Sequence, residues 1–119
     1  NPTPSIGWAN KERKTLIHRG PPDLIMALAL IHHLRITYNI PLLKIACLFH
    51  EWTTEWLIVE FVSKEDVQVQ ELLISRKDIF ADYTFDSFVS VFSEWFDIIE
   101  QNKLPDSGRI LCLMKKKSV

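Results

Sequence analysis

The chain has 119 residues, 47% of them hydrophobic and 24% charged, with a formal net charge of −1 at pH 7. That length supports one domain around one core, and the composition excludes a disordered chain. The charge balance gives no ground for nucleic acid or an anionic membrane as partner, and no apolar run approaches the ~20 residues needed to span a bilayer.

Cys47 and Cys112 both lie in apolar runs and read as buried, reduced thiols of a cytoplasmic protein. Lys115-Lys116-Lys117 reads as a solvated basic chain end. No basic and apolar leader opens the sequence. Asn1, not Met, stands first, as expected of a processed chain or of a piece cut from a longer one.

Residues 1–22 form a lead-in punctuated by Pro2, Pro4, Gly7, Gly20, Pro21 and Pro22. Within it, Trp8 to Ile17 has two readings, a short helix or an ordered loop, with Ile6 and Trp8 as anchors. Asp23 then marks an element start, and Leu24 to Leu30 is an unbroken apolar run. A run of that kind fits a strand covered on both faces, as in a parallel sheet. Periodicity alone leaves a buried helix open, because Met26, Ala27, Leu28, Ala29 and Leu30 are all good helix formers. The Gly20-Pro21-Pro22 flank favours the strand.

Ile31 to Tyr38 reads as a short helix or turn, broken at Asn39-Ile40-Pro41. Pro41 suits the first position of the next helix. There, Leu42, Leu43, Ile45, Ala46, Leu48 and Phe49 make an apolar face, with Lys44, His50 and Glu51 off it. Trp56 to Val62 is β-branched, aromatic and short, the clearest strand of the sequence, interrupted by Glu60. Ser63 and Asp66 are both candidate caps for a helix running to about Ser75.

Arg76 to Tyr83 is an irregular connection anchored by Ile79, Phe80 and Tyr83. Thr84 can cap a helix whose buried side is Phe85, Phe88, Val89, Val91, Phe92 and Trp95. Phe96 to Glu100 alternates as a half-exposed strand, 104–108 is a turn cluster, and Arg109 to Met114 is the last strand. These two strands read as an antiparallel hairpin at a sheet edge. The earlier two, separated by helices, read as a parallel pair with a right-handed crossover.

In an open α/β sheet, ligands gather outside the carboxyl ends of strands, which singles out Ala29, Leu30, His32 and His33. Against a role in a site, one histidine can cap the turn while the other packs under the helix. Glu60, inside an apolar strand, requires a partner or a polar pocket, with Lys64 and Arg35 as candidates. Lys64, Glu65 and Asp66 read as a solvated helix start, and Tyr83 as a core anchor. No zinc site is expected. His32 and His33 diverge, and neither His-x-x-x-His nor Cys-x-x-Cys spacing occurs.

A family resemblance is carried by Gly7-Trp-Ala-Asn-Lys-Glu-Arg13, Asp23-Leu-Ile-Met-Ala-Leu-Ala-Leu-Ile-His-His-Leu34 and Asn39-Ile-Pro-Leu42. Further matching stretches are Leu57-Ile-Val-Glu-Phe-Val-Ser-Lys-Glu-Asp66, Val69-Gln70, Arg76-Lys-Asp-Ile-Phe80, Asp82-Tyr83-Thr84 and Ser107-Gly-Arg-Ile-Leu111. Together they resemble the second half of a class I S-adenosylmethionine-dependent methyltransferase, in particular a bacterial group often labelled nodulation-related or uncharacterised methyltransferases. The resemblance covers almost the whole chain. It implies an α/β, Rossmann-like methyltransferase fold of which only the C-terminal half is present, as a single partial domain over 1–119. Two parallel strands and a C-terminal antiparallel hairpin would carry packed helices, and residues 23–119 would hold strands four to seven.

Leu24–Leu30 would be strand four, Trp56–Val62 strand five, and the hairpin strands six and seven, the seventh antiparallel. S-adenosylmethionine is the implied cofactor, with Ala29, Leu30 and His32 bordering its methionine end. His32 or His33 would act as general base or position the acceptor, and Glu60, Lys64 and Tyr83 would lie on the substrate side. The acceptor, a small molecule or otherwise, is not specified.

The family's first half supplies a glycine-rich loop and a ribose-holding acid. Here only Gly7, Gly20 and Gly108 occur, none in a Gly-x-Gly pattern. Ser63 and Ala81 stand where proline is expected, and Cys112 where tyrosine is. The piece alone is therefore expected to bind the cofactor weakly or not at all and to be inactive. A second reading makes it a non-catalytic, methyltransferase-like association domain. With strand one absent, Leu24–Leu30 would be a bare apolar edge, giving a homo-oligomer through that strand or a rearranged lead-in covering it.

Overall fold

A computed structural model of the chain describes residues 16–19 and 24–119. Five strands form one mixed sheet: β1 (Leu16–Arg19), β2 (Leu24–Ala27), β3 (Trp56–Val62), β4 (Phe96–Lys103) and β5 (Arg109–Lys116). Three α-helices accompany them, α1 (Leu42–Trp52), α2 (Val67–Ile74) and α3 (Phe85–Phe92), with a π-helical turn at His33–Thr37. The spatial order is β1-β2-β3-β5-β4. β2 and β3 run parallel, while β5 pairs antiparallel with β3 on one side and β4 on the other. The expected parallel pair and closing hairpin are both present.

The lead-in differs from its sequence reading. Leu16 and Ile17 belong to a strand, neither helix nor loop, and that strand pairs antiparallel with β2. The expectation of a bare edge on Leu24–Leu30 is thereby corrected: β1 pairs along Leu24–Ala27. The alternative, a covering lead-in, is what the chain adopts. The rest of the helix-or-loop reading over Trp8–Ile17 falls outside the described residues. β2 is also shorter than expected. It stops at Ala27, because Ala29 turns into the left-handed region at φ 53° and the chain leaves the sheet.

Residues Leu57, Val59 and Phe61 project from one face of β3, opposite Met114, Cys112 and Ile110 of β5. Against this face α1 and α3 pack, and the core is largely aromatic. Phe61 stacks on Tyr83 at 4.9 Å between centroids, Phe88 meets Phe92 at 4.5 Å, and Phe92 reaches Phe49 and Phe96. The Phe85–Trp95 stripe is core, as its helical spacing predicts. Thr84 caps α3 by accepting a bond from Ser87 N. Pro41 stands just outside α1 as its cap, not at its first position.

The buried face of α1 is rotated from the expected one. His50 is buried with its Nε2 2.8 Å from Lys117 O, while Leu43 is exposed. The rotation follows from the chain end, which packs alongside. Lys116 Nζ donates to Thr53 O and Lys117 Nζ to Ser93 O. The basic run is thus no free tail. Two of its ammonium groups seal the last carbonyls of α1 and α3, where the negative ends of the helix dipoles lie. Both cysteines are free thiols, Cys112 buried and Cys47 half-buried. Burial raises the Cys112 pKa to about 11. No helix among the described residues is long and apolar enough to cross a membrane.

Candidate functional site

The parallel pair β2–β3 ends at one side of the sheet, and a cluster of polar groups gathers there. Glu60 points from β3 to the face opposite Phe61, because successive strand residues alternate. It is 6% exposed, and its Oε1 accepts the Ala29 N–H at 2.7 Å. Ala29 sits at the exit of β2 with φ 53°, a conformation that costs a non-glycine residue roughly 1–2 kcal/mol. Left-handed alanines persist where the surroundings hold them, and functional sites are where they gather.

Arg109 completes the arrangement. Its Nη1 lies 3.5 Å from the same Glu60 oxygen, and its Nε donates to Asp66 Oδ2 at 3.1 Å. Asp66 also caps α2, its Oδ1 accepting from Gln68 N at 2.9 Å. Burial works against the Asp66 carboxylate. The Arg109 bond, the Gln68 N–H and the charge of Arg109 outweigh it and hold the Asp66 pKa below its ordinary value. The Asp66 bond correspondingly raises Arg109. The turn before β5 is tightly seated: Ser63 N donates to Gly108 O, and a methyl group at 108 would collide with the Ser63 hydroxyl. Glycine at 108 therefore lets the start of β5 meet the end of β3, which puts Arg109 in place.

His32 lies beside this cluster, fully buried; neither ring nitrogen makes a well-formed hydrogen bond among the described residues, and the Gln68 side chain is the polar group that acts on the ring most directly. Burial lowers its pKa to about 4. The charges of His33 and Arg109 push the same way, against smaller opposing effects of Asp66 and the Gln68 side chain. The ring is thus neutral at pH 7, with a nitrogen to accept a proton or hydrogen bond. The His33 ring lies tilted beside it, 4.4 Å between centroids, and its Nδ1 lies 3.4 Å from Thr37 Oγ1. Neither histidine caps the turn through its side chain, and His32 packs under the helical segment.

Ala29, Leu30, His32 and Glu60 thus come together at the carboxyl ends of the parallel strands. Lys64 and Tyr83 do not join them. They line a separate pocket of about 250 Å³ on the aromatic face, with Phe61, Ser63, Glu65, Thr84, Phe85 and Ile110. Tyr83 is a core anchor, its hydroxyl donating to Val62 O, and burial raises its pKa. The partners expected for Glu60 are engaged elsewhere: Lys64 pairs with Asp78 and Arg35 with Asp82. Arg35 also donates to Asn39 Oδ1 and lies over the Phe80 ring, so it ties the π turn to the 76–84 connection.

Sequence reasoning missed Arg109 and took Asp66 as solvated. Both become visible only with the register of β5 on β3, which sets Arg109 opposite Val62 and diagonal to Glu60. Among the described residues no group of three or more His, Cys, Asp or Glu is placed to hold a metal ion.

Sheet and cluster define a mixed α/β unit with a polar cluster at the carboxyl ends of its parallel strands. The chain is 39% identical over 114 residues to nodulation protein NoeA of Rhizobium meliloti (strain 1021). The match takes in 93% of this chain but only 23% of that protein, so the chain spans less than a quarter of its relative. No family model and no solved structure matches.

Proposed function

We propose that the chain is part of an S-adenosylmethionine-dependent methyltransferase. The observation that carries this reading is the strand order β2-β3-β5-β4, with a reversed strand inserted between β3 and β4. The resemblance drawn from the sequence implies a parallel pair of strands four and five and a closing hairpin whose last strand is antiparallel, and this sheet is in keeping with both. Further support comes from the placement of the polar cluster and from the relationship to a much longer protein.

The residues present fit one side of such a site. Ala29, Leu30 and His32 would border the methionine end of the cofactor, and His32 offers a buried ring nitrogen there. When bound, the cofactor supplies an electrophilic methyl group for in-line transfer. Such a reaction asks the protein mainly for positioning and, with some acceptors, for proton removal. Neutral His32 is suited to take that proton. Lys64 and Tyr83, on the other face of β3, are not assigned to the substrate.

A second reading makes it a methyltransferase-like association domain without catalysis. Calorimetric titration with S-adenosylmethionine separates the two. The complete protein that contains this chain is expected to bind it, and the 119-residue piece to bind far more weakly. No heat of binding to the complete protein would overturn the enzyme reading and leave the association domain.

A further inference from the structure

We propose that Glu60 is a positioning residue: with Arg109 it locks the left-handed turn at Ala29 and thereby fixes where His32 stands. The inference deepens the methyltransferase reading and rests on it for the importance of His32, though not for the brace itself.

Three observations converge. Ala29 holds φ 53° without being glycine, so something outside the turn must keep it there. The group that reaches its N–H is the Glu60 carboxylate, 2.7 Å away and drawn from a strand 31 positions later. That carboxylate is in turn held by Arg109, whose second bond runs to Asp66 at the head of α2. The brace thus fastens the exit of β2 to β3, β5 and α2 at once. From the fixed point at Ala29 the chain enters the helical segment that carries His32, so the turn sets the direction in which that segment leaves. The groups around His32, namely His33, Arg109, Asp66 and Gln68, all belong to this segment or to the brace.

An acid in an apolar strand could instead serve only to satisfy one backbone amide. The two roles differ in what repairs a loss. If Glu60 merely fills a hydrogen bond, glycine at 29 does nothing. If it enforces a conformation, glycine adopts that conformation freely and restores the geometry.

The test is a nuclear magnetic resonance titration of the His32 ring in the 119-residue chain. Wild type should titrate near pH 4. Glu60→Ala should move the midpoint up by about one unit or more, as the ring loses its enclosure. Adding Ala29→Gly to Glu60→Ala should return it most of the way, and Glu60→Gln, which keeps an acceptor, should leave it near wild type. An unmoved midpoint in folded Glu60→Ala, or no recovery in the double variant, overturns the brace. If Glu60→Ala does not fold, Ala29→Gly must restore folding, and its failure to do so overturns the proposal equally. No cofactor enters this titration. A protein that fails to bind S-adenosylmethionine therefore sinks the enzyme reading alone, and a failed rescue sinks the brace alone.

Discussion

Glu60 and Phe61 are neighbours in β3, yet they face two regions built on opposite principles. On the Phe61 side, rings from β3, β4, α1 and α3 fill the space, and stability comes from apolar area removed from water. Facing Glu60, buried polar groups hold a left-handed turn and a neutral histidine, arrangements that cost stability. One strand therefore carries both the source of stability and the site that draws on it. The difference teaches where to look for function in a small unit of this kind: at the place where close packing gives way to enforced geometry.

The largest effect should come from breaking the aromatic side. Phe88 is fully buried between Phe61, Phe85 and Phe92, and Phe88→Ala should cost about 3–5 kcal/mol in a urea unfolding series.

Next in size is a pH effect from the polar side. The folded-state pKa of His32, about 4, lies below its ordinary 6.5, so between those values the unfolded chain binds the extra proton. Stability is then fully present above pH 6.5 and is lost as pH falls toward 4, by up to about 3 kcal/mol. Thermal melts across that window should show the slope, and His32→Leu should flatten it. A slope that survives His32→Leu would assign it to another group.

The smallest effect compares two helix caps, one in each region. Thr84→Ala removes only a cap and should cost about 1 kcal/mol. Asp66→Ala removes a cap and also strips Arg109 of its closest carboxylate, so it should cost more than Thr84→Ala. Equal losses from the two, measured by denaturant midpoints, would mean that the Arg109–Asp66 bond adds nothing to the polar side.

What the sequence disclosed follows the same division. β3 was legible to the residue, because a β-branched and aromatic run bounded by polar turns needs no tertiary information. Thr84 as cap, and the Phe85–Trp95 stripe as core, were legible for similar local reasons. The parallel pair and the closing hairpin were legible from their patterns, but which hairpin strand pairs with β3 was not. β1 was not legible. Its hydrogen bonds depend on a partner strand, and Leu16-Ile17-His18-Arg19 is too short to show a period. Nor was the exchange of Leu43 for His50 on the buried face of α1, which depends on a chain end that returns from far away. The brace escaped for the same reason. Glu60 announced a need for a partner, but Arg109 answers it across a register that no local pattern encodes.

The position of β5 has a consequence for how the molecule can assemble. Among the described strands β4 has no neighbour but β5, and β5 is also the strand that joins β4 to β3. β4 therefore gains nothing from the sheet until β5 is beside it, and the short route to that pairing is the local hairpin. Hairpins close within microseconds because their partners are near in sequence, whereas joining β5 to β3 closes a much longer loop. Arg109 reaches Glu60 and Asp66 only with β5 docked on β3. A chain that has formed its hairpin but not docked it would therefore lack the Arg109 contacts that hold Glu60 and Asp66.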